Sequence, residues 1–308
     1  MLMVGFHGTD VSPSLEALLE DPLVTGVIWF RRNVESTAQV AQTNAHLRSL
    51  RPDLLIAIDQ EGGLVRRLRE GVTLVPAMRE VQDEAEARRW GGVLGRELRA
   101  LGFNVNFAPV LDVDSNPNNP IIGSRSFGRD PAHVGRLGVA LHQAMVAEGV
   151  ASCGKHFPGH GDTDTDSHLD LPVVLHPMER VYSTELLPFR AAIDAGIPMI
   201  MTAHLVLAAL DAGRPATLSP AVLGGLLRGE LGFDGVIVGD DLDMKALADH
   251  YGTAEAVALG LEAGVDLFLA CADEARMEEA LAALRSAPTT LTQPARARIR
   301  KVAEIFRF

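Results

Sequence analysis

Residues Val150–Pro172 read VASCGKHFPGHGDTDTDSHLDLP. The apolar run Val150–Gly154 has the length and composition of a buried strand, and it ends in Lys155 and His156. The same arrangement, an apolar run leading into a charged or polar residue, recurs along the chain. Leu54–Ile58 precedes Asp59, Phe103–Phe107 precedes Asp112, Met199–Thr202 precedes His204, and Val236–Val238 precedes Asp240. Val24–Phe30, Val265–Ala270 and a short opening run, Leu2–Phe6, complete the set. Runs continuous in Val, Ile, Leu and Phe are those of parallel strands covered on both faces. Between them, apolar spacing near 3.6 predicts helices over Thr37–Leu50, Met78–Leu101, Ala132–Glu148, Met178–Ile193, Ala221–Glu230, Ala254–Ala263 and Glu274–Ser286. Pro131 after Asp130 and Pro220 after Ser219 read as first-turn prolines behind N-caps. Pro288–Pro294 (PTTLTQP) reads as a loop before a last helix, Ala295–Phe306.

Alternating strands and helices imply parallel pairing with right-handed crossovers, in either a closed (β/α)8 barrel or an open doubly wound sheet. An open sheet concentrates its site at one switch point, whereas a barrel gathers side chains from many strand ends. Polar residues at many strand ends, and no G-x-G-x-x-G after the early strands, favour the barrel. The expected fold class is therefore α/β, a TIM-type (β/α)8 barrel.

Composition narrows the function. Of 308 residues, 47% are hydrophobic and 22% charged, which is ordinary globular content. Twenty-eight Lys and Arg against forty Asp and Glu leave a net charge of −12, which repels a phosphate backbone and argues against nucleic acid as a partner. No apolar run reaches the roughly 18 residues that a bilayer demands; Ile197–Leu210 is broken by Pro198, Thr202 and His204. The opening MLMVGFHGTD lacks the basic and apolar regions of a secretion signal. A cytoplasmic protein without a membrane partner is expected, with Cys153 and Cys271 as buried reduced thiols.

Lys155–Pro172 holds three His, four Asp, one Lys and two Gly in eighteen residues, a density that marks a functional loop. Asp162, Asp164 and Asp166 alternate as in a calcium loop, but Ser167 and Val173 stand where that loop needs Gly and Glu. His156, His160 and His168, joined by Asp59 or Asp240, suggest zinc, yet Pro158 and Gly159 separate the first two and the helical Glu is missing. Asp166 and His168 lie two apart, where a turn brings carboxylate and imidazole into contact and tunes the ring as a general acid and base. In VIVGDDLDM (236–244), Asp240 is the first acid off a buried strand, while Asp241 or Asp243 reads as an N-cap for the turn near Met244. In IDQEGGLVRRL (58–68), Asp59 suits paired hydroxyls, and Arg66 or Arg67 suits carboxylate or amide oxygens. IIGSRSFGRDP (121–131) adds Arg125 and Arg129 to the same rim.

These segments resemble glycoside hydrolase family 3, in its bacterial β-N-acetylglucosaminidase branch of peptidoglycan recycling. The resemblance runs from the first strand to about Leu261, and KHFPGHGDTDTDSH is its most specific part, with IDQEGG, NFAPVLDV and IGSRSFGRDP in the family's order. It implies a retaining two-step mechanism without cofactor or metal, in which Asp240 is the nucleophile, His168 the general acid/base and Asp166 its partner. It also implies substrate binding by Asp59, Arg67, Arg125, Lys155 and His156. Where the family commonly has Ser or Thr before the nucleophile, this chain has Gly239.

A histidine acid/base departs from the usual pair of carboxylates, and its need for a protonated ring puts optimal activity near or somewhat below neutral pH. Without negative charge it also does not repel phosphate, so a phosphorylase using the same residues is the alternative. A metal-dependent barrel hydrolase and a non-catalytic sugar-binding barrel are others. Length alone, at roughly 150 residues per domain, suggests two domains. A barrel consuming nearly all of residues 1–308 instead leaves one, so every catalytic group is expected from the barrel's own loops. The remaining expectations are a monomer and a small carbohydrate as the binding partner.

Overall fold

The structure is a computed structural model and describes residues 1–163 and 171–308. The expected acid/base pair, Asp166 and His168, therefore lies outside the described residues. Eight strands close into a parallel barrel in chain order: β1 (Leu2–Val4), β2 (Val24–Trp29), β3 (Leu55–Ile58), β4 (Val105–Asn106), β5 (Ala151–Phe157), β6 (Met199–Thr202), β7 (Val236–Asp241) and β8 (Leu267–Ala270). β1 closes the ring by pairing with both β2 and β8, in the registers Leu2↔Val24 and Leu2↔Phe268. The crossovers are made by α1 (Pro13–Leu19), α2 (Thr37–Leu50), α3 (Glu84–Ala100), α4 (Pro131–Ala147), α5 (Met178–Ser183) with α6 (Leu187–Asp194), a π-helical segment (Ala221–Glu230), and α7 (Lys245–Ala248) with α8 (Thr253–Ala263). α9 (Glu274–Ser286) and α10 (Thr289–Ile305) follow the last strand.

Two-sided burial explains the continuous apolar runs. Leu55 and Ala57 point into the lumen with Met3, Ile28, Phe107 and Val238, while Leu54, Ile56 and Ile58 pack outward under the helices. Ile299, Val302 and Ala303 of α10, with Phe306 just past its end, join the lumen cluster, so the last helix packs against the lumen residues. Cys153 and Cys271 are buried and unbridged. No helix among the described residues is long and apolar enough to cross a membrane.

Several elements depart from the expected boundaries for local reasons. The expected helix Met78–Leu101 begins as α3 only at Glu84, because the Asp83 side chain accepts from Glu86 N and caps a new start. Met178–Ile193 is two helices, and the break falls just ahead of Pro188, which cannot donate a helical hydrogen bond. Pro288–Pro294 is not a loop: α10 starts at Thr289 and carries Pro294 inside it, with Leu291 packed on the outer core. β5 runs on to Phe157, so Lys155 and His156 belong to a strand rather than to the loop after it. Asp130 does cap its helix, accepting from His133 N; the Ser219 hydroxyl accepts from Val222 N, but that segment starts at Ala221 with Pro220 in the cap position.

Just ahead of β8, buried Asp266 holds three elements together. It accepts from Ile237 N (2.8 Å), Arg228 Nη2 (2.6 Å) and Arg298 Nη2 (2.7 Å). Removing the carboxylate strands two partly buried guanidinium groups, so Asp266→Ala is expected to cost about 2–4 kcal/mol of stability in urea unfolding. An unchanged unfolding midpoint would show that this junction does not hold the barrel closed.

Candidate active site

The strand ends deliver Asp59, Lys155, His156 and Asp240 to one cavity of about 430 Å³ at the C-terminal mouth of the barrel, while Asp112 and His204 do not line it. Asp59, Arg67, Arg125, Lys155, His156 and Asp240 all line it, so six of the eight expected site residues come together. Arg66 and Arg129 do not line it; Arg129 is mostly exposed and turns to Asp114 at 3.5 Å.

Beyond Asp59 the chain folds back as a small antiparallel ribbon of Gln60–Gly62 with Val65–Arg66. Gly62 and Gly63 turn it at φ +111° and +56°, and a Cβ on Gly63 would sit 2.7 Å from Ala77 Cα. Two amides fix the ribbon. Asn106 Oδ1 accepts from Gln60 N and its Nδ2 donates to Gln60 O, both at 3.0 Å. Gln60 Oε1 in turn accepts from Arg67 N (2.8 Å) and Leu68 N (3.1 Å). Arg67 is thereby aimed at Asp59, with Nη2 3.1 Å from Oδ2.

The centre of the site is an ionic network around Lys155, whose side chain is only 3% exposed. Its Nζ lies 2.8 Å from Asp59 Oδ1 and 2.6 Å from Glu61 Oε1. Glu61, as deeply buried, also takes Arg125 in a bidentate pair at 2.8 and 2.9 Å. Burial pushes the Asp59 carboxyl up, but Lys155 and Arg67 outweigh it and hold the group below its ordinary value. The same contest, with Arg125 and Lys155 opposing burial, leaves Glu61 far below the usual carboxylate range. For Lys155, burial alone lowers the ammonium, and Asp59 with Glu61 reverses the sign.

A second anchor lies beside it. Asp112, fully buried, accepts from His156 Nδ1 at 2.7 Å, from His156 N and from His160 N. That contact orients the His156 ring, whose Nε2 lies 3.4 Å from Arg125 Nη2. His160 also lines the cavity, with Nδ1 2.7 Å from Thr163 Oγ1. Among the described residues, no three His, Cys, Asp or Glu side chains are grouped to hold a metal ion.

Asp240 stands at the end of β7, and its Oδ1 accepts from Asp241 N at 2.9 Å. A Cβ on Gly239 would meet Val265, Thr217 and Leu267 atoms only at 3.5–3.8 Å, so the glycine is not imposed by crowding. Asp243 is not a helix cap: its Oδ2 accepts from the backbone N–H groups of Cys271, Ala272 and Asp273. Asp241 is largely buried beside Asp243 and Asp240, and burial with those like charges pushes its carboxyl up to about 7.

Sequence reasoning did not single out Glu61, and it placed Asp112 at a strand end without giving it a role. Glu61 sits between Gln60 and two glycines and looks like turn filler, while Asp112 lies within the apolar APVLDV. The available signal was a lone acid inside apolar sequence, which needs a buried cation or donor.

Comparison with known proteins matches residues 1–305 to the Glycosyl hydrolase family 3 N terminal domain. A beta-hexosaminidase of Pseudomonas aeruginosa (strain PAO1) is 41% identical over 293 residues, spanning 94% of this chain and 87% of that one. The solved glycoside hydrolase family 3 β-N-acetylglucosaminidase from Paenibacillus sp. str. FPU-7 superposes with a TM-score of 0.96 at 43% identity. It covers 99% of this chain, which spans 61% of that longer one. NagZ from Neisseria gonorrhoeae, solved in complex with N-trifluoroacetyl-D-glucosamine, gives a TM-score of 0.89 at 34% identity over 99% of this chain and 89% of its own.

Two titrations in this site act on stability with opposite signs. Burial, with the His156 charge, lowers His160 from 6.5 to about 4, so the unfolded chain binds the extra proton between those values and stability is lost as pH falls through them. Asp241 is raised from 3.8 to about 7, so its contribution is present below 3.8 and lost as pH rises to 7. Urea unfolding across pH 4–7 checks both. Relative to wild type, His160→Gln is expected to gain stability as pH falls, and Asp241→Asn as pH rises. Parallel pH profiles for both variants and wild type would refute the assignment.

Proposed function

The chain belongs to glycoside hydrolase family 3, and from that membership we propose that it removes terminal, non-reducing β-linked N-acetylglucosamine with retention of configuration. We take peptidoglycan-derived muropeptides as its substrates. The observation that carries this reading is the convergence of Asp240 with Lys155, Asp59, Arg67, Arg125 and His156 on one cavity large enough for a sugar ring.

In the proposed mechanism the network around Lys155 holds the sugar. Asp59 accepts from ring hydroxyls, while Lys155, Arg67, Arg125 and His156 donate to sugar oxygens. Because Asp59, Glu61 and Asp112 fix these donors before substrate arrives, little ordering cost is left to binding. Asp240 then attacks the anomeric carbon through an oxocarbenium-like transition state, and the carboxylate stabilises the developing positive charge. As the glycosidic bond breaks, His168 gives its proton to the departing oxygen, and Asp166 holds the ring's tautomer. In the second step the same ring takes a proton from water. The water oxygen attacks the anomeric carbon and the bond to Asp240 breaks, releasing the β-sugar.

The lining charges favour water over phosphate as the acceptor. Asp59, Glu61, Asp240 and Asp241 face Arg67, Arg125 and Lys155, and Asp59 and Glu61 already pair with each of those cations. No surplus of positive charge is left for an incoming anion.

Turnover of an N-acetylglucosaminide and a glucoside, each with and without inorganic phosphate, tests this reading. Free N-acetylglucosamine is the expected product in both buffers, with the glucoside cleaved far more slowly. A sugar 1-phosphate appearing only with phosphate would make the enzyme a phosphorylase. Asp240→Ala is expected to lower kcat/KM by about three orders of magnitude. For His168→Ala, kcat/KM on an alkyl N-acetylglucosaminide should fall by about 10²–10⁴ and on an activated nitrophenyl one much less. Equal losses on the two leaving groups would remove His168 from the acid/base role.

A further inference from the structure

His204 follows β6 at the end of the barrel that carries the site, yet it does not line the cavity. It is fully buried, and its ring is spent on β7 instead. Nε2 lies 3.0 Å from the backbone carbonyl oxygen of Asp241. A carbonyl oxygen only accepts, so Nε2 carries the proton and donates it. The other ring nitrogen, Nδ1, is bonded to Thr217 Oγ1 at 2.9 Å, and that oxygen also meets Thr202 Oγ1 at 2.8 Å. Three buried polar side chains thus end on one carbonyl, next to the carboxylate taken above as the nucleophile. The register of β7 with β6 ends at Val238↔Met201. Its register with β8 passes from Val238↔Leu267 to Asp241↔Leu269, so Gly239 and Asp240 form a bulge. Gly239 brings no side chain to anchor that bulge, although a Cβ there would lie 3.6 Å from Thr217 Cγ2. Asp241 is the first residue back in register: its N–H donates to Asp240 Oδ1 at 2.9 Å, and its carbonyl accepts from His204.

We propose that His204, held by Thr217, is a positioning residue for the nucleophile: it fixes Asp241, and through the Asp241 N–H it sets the Asp240 carboxylate on its bulge. The inference rests on the assignment of Asp240 as nucleophile and adds to it a residue outside the cavity. Gly239 offers no hydroxyl on the N-terminal side of Asp240, so the tie comes from the C-terminal side. Displacing a reacting group by about 1 Å costs on the order of 100-fold in rate, so losing this tie is expected to slow attack on the anomeric carbon. Attack is required whatever the leaving group, so the loss is expected to be alike for good and poor leaving groups, unlike the loss of a proton donor.

The test measures kcat/KM on an alkyl and an activated nitrophenyl N-acetylglucosaminide, the competitive Ki of N-acetylglucosamine, and the Tm, for His204→Leu, His204→Gln and Thr217→Val. Asp240→Ala runs in parallel to check the assignment. His142→Gln is the control for loss of a buried ring, since His142 of α4 is bonded to Ser152 Oγ of β5 at 2.6 Å. His204→Leu is expected to lose about 10- to 100-fold in kcat/KM on both substrates alike, and Thr217→Val about 3- to 10-fold, with Ki within about 2-fold of wild type. His204→Gln, whose amide still donates to the Asp241 carbonyl, should recover most of the loss. His142→Gln should lower Tm and leave kcat/KM in place. If Asp240→Ala is inactive while His204→Leu and Thr217→Val keep wild-type kcat/KM, the positioning role is overturned alone. Should His204→Leu not fold, Thr217→Val decides: a loss at unchanged Ki supports the role, and wild-type kcat/KM overturns it. If Asp240→Ala retains activity, the nucleophile lies elsewhere and the positioning role falls with it.

Discussion

A lysine ammonium buried at the mouth of the barrel is the constraint around which the site is arranged. Taking one charge out of water costs several kcal/mol even after relaxation, and the loss is recovered only where counter-charges sit in good geometry. Lys155 meets that condition through Asp59 and Glu61, which arrive from β3 and the ribbon after it. Glu61 in turn needs a second cation, and Arg125 supplies it from a loop otherwise remote in sequence. Each charge is tolerable only because the next is in place, so the side chains that line the cavity hold one geometry. An open sheet would not bring the ends of β3 and β5 and the Arg125 loop to one point; a closed ring of parallel strands does.

The same arrangement separates holding from chemistry. Asp59, Glu61, Lys155, Arg67 and Arg125 are paired with one another, and His156 is fixed by Asp112. Asp240 stands apart from this network at the end of β7, where its carboxylate receives the neighbouring amide of Asp241. On the proposed reading that division is functional: a rigid polar wall binds the sugar, and a separately mounted carboxylate attacks it. The end of the chain contributes at a distance, as Ile299 and Val302 of α10 and Phe306 after it pack against the lumen residues.

Much of this was legible in the sequence, for identifiable reasons. Parallel strands covered on both faces leave continuous apolar runs, so the barrel was readable from Leu54–Ile58 or Val236–Val238 without contacts. Residues at the ends of those runs, Asp59, Lys155, His156 and Asp240, could be placed at the mouth because strand direction alone puts them there. Glu61 could not, and Asp112 could be placed but not given a role, because their importance lies in which cation or ring they meet across the barrel. Helix limits failed where a single side chain decides: Asp83 restarts α3 by capping, and Pro188 divides the helix expected over Met178–Ile193. α10 failed in the other direction, since the packing of Leu291 sustains a helix through a sequence with two prolines.

The central claim is that Asp240 becomes covalently joined to the sugar. Its most direct test is mass spectrometry of peptic peptides after reaction with a fluorinated N-acetylglucosaminide whose glycosyl-enzyme turns over slowly. The account predicts a single adduct of one sugar on the peptide containing Asp240, absent in Asp240→Ala. An adduct on another residue would contradict it. So would release of the α-anomer without any adduct, because inversion requires no covalent step.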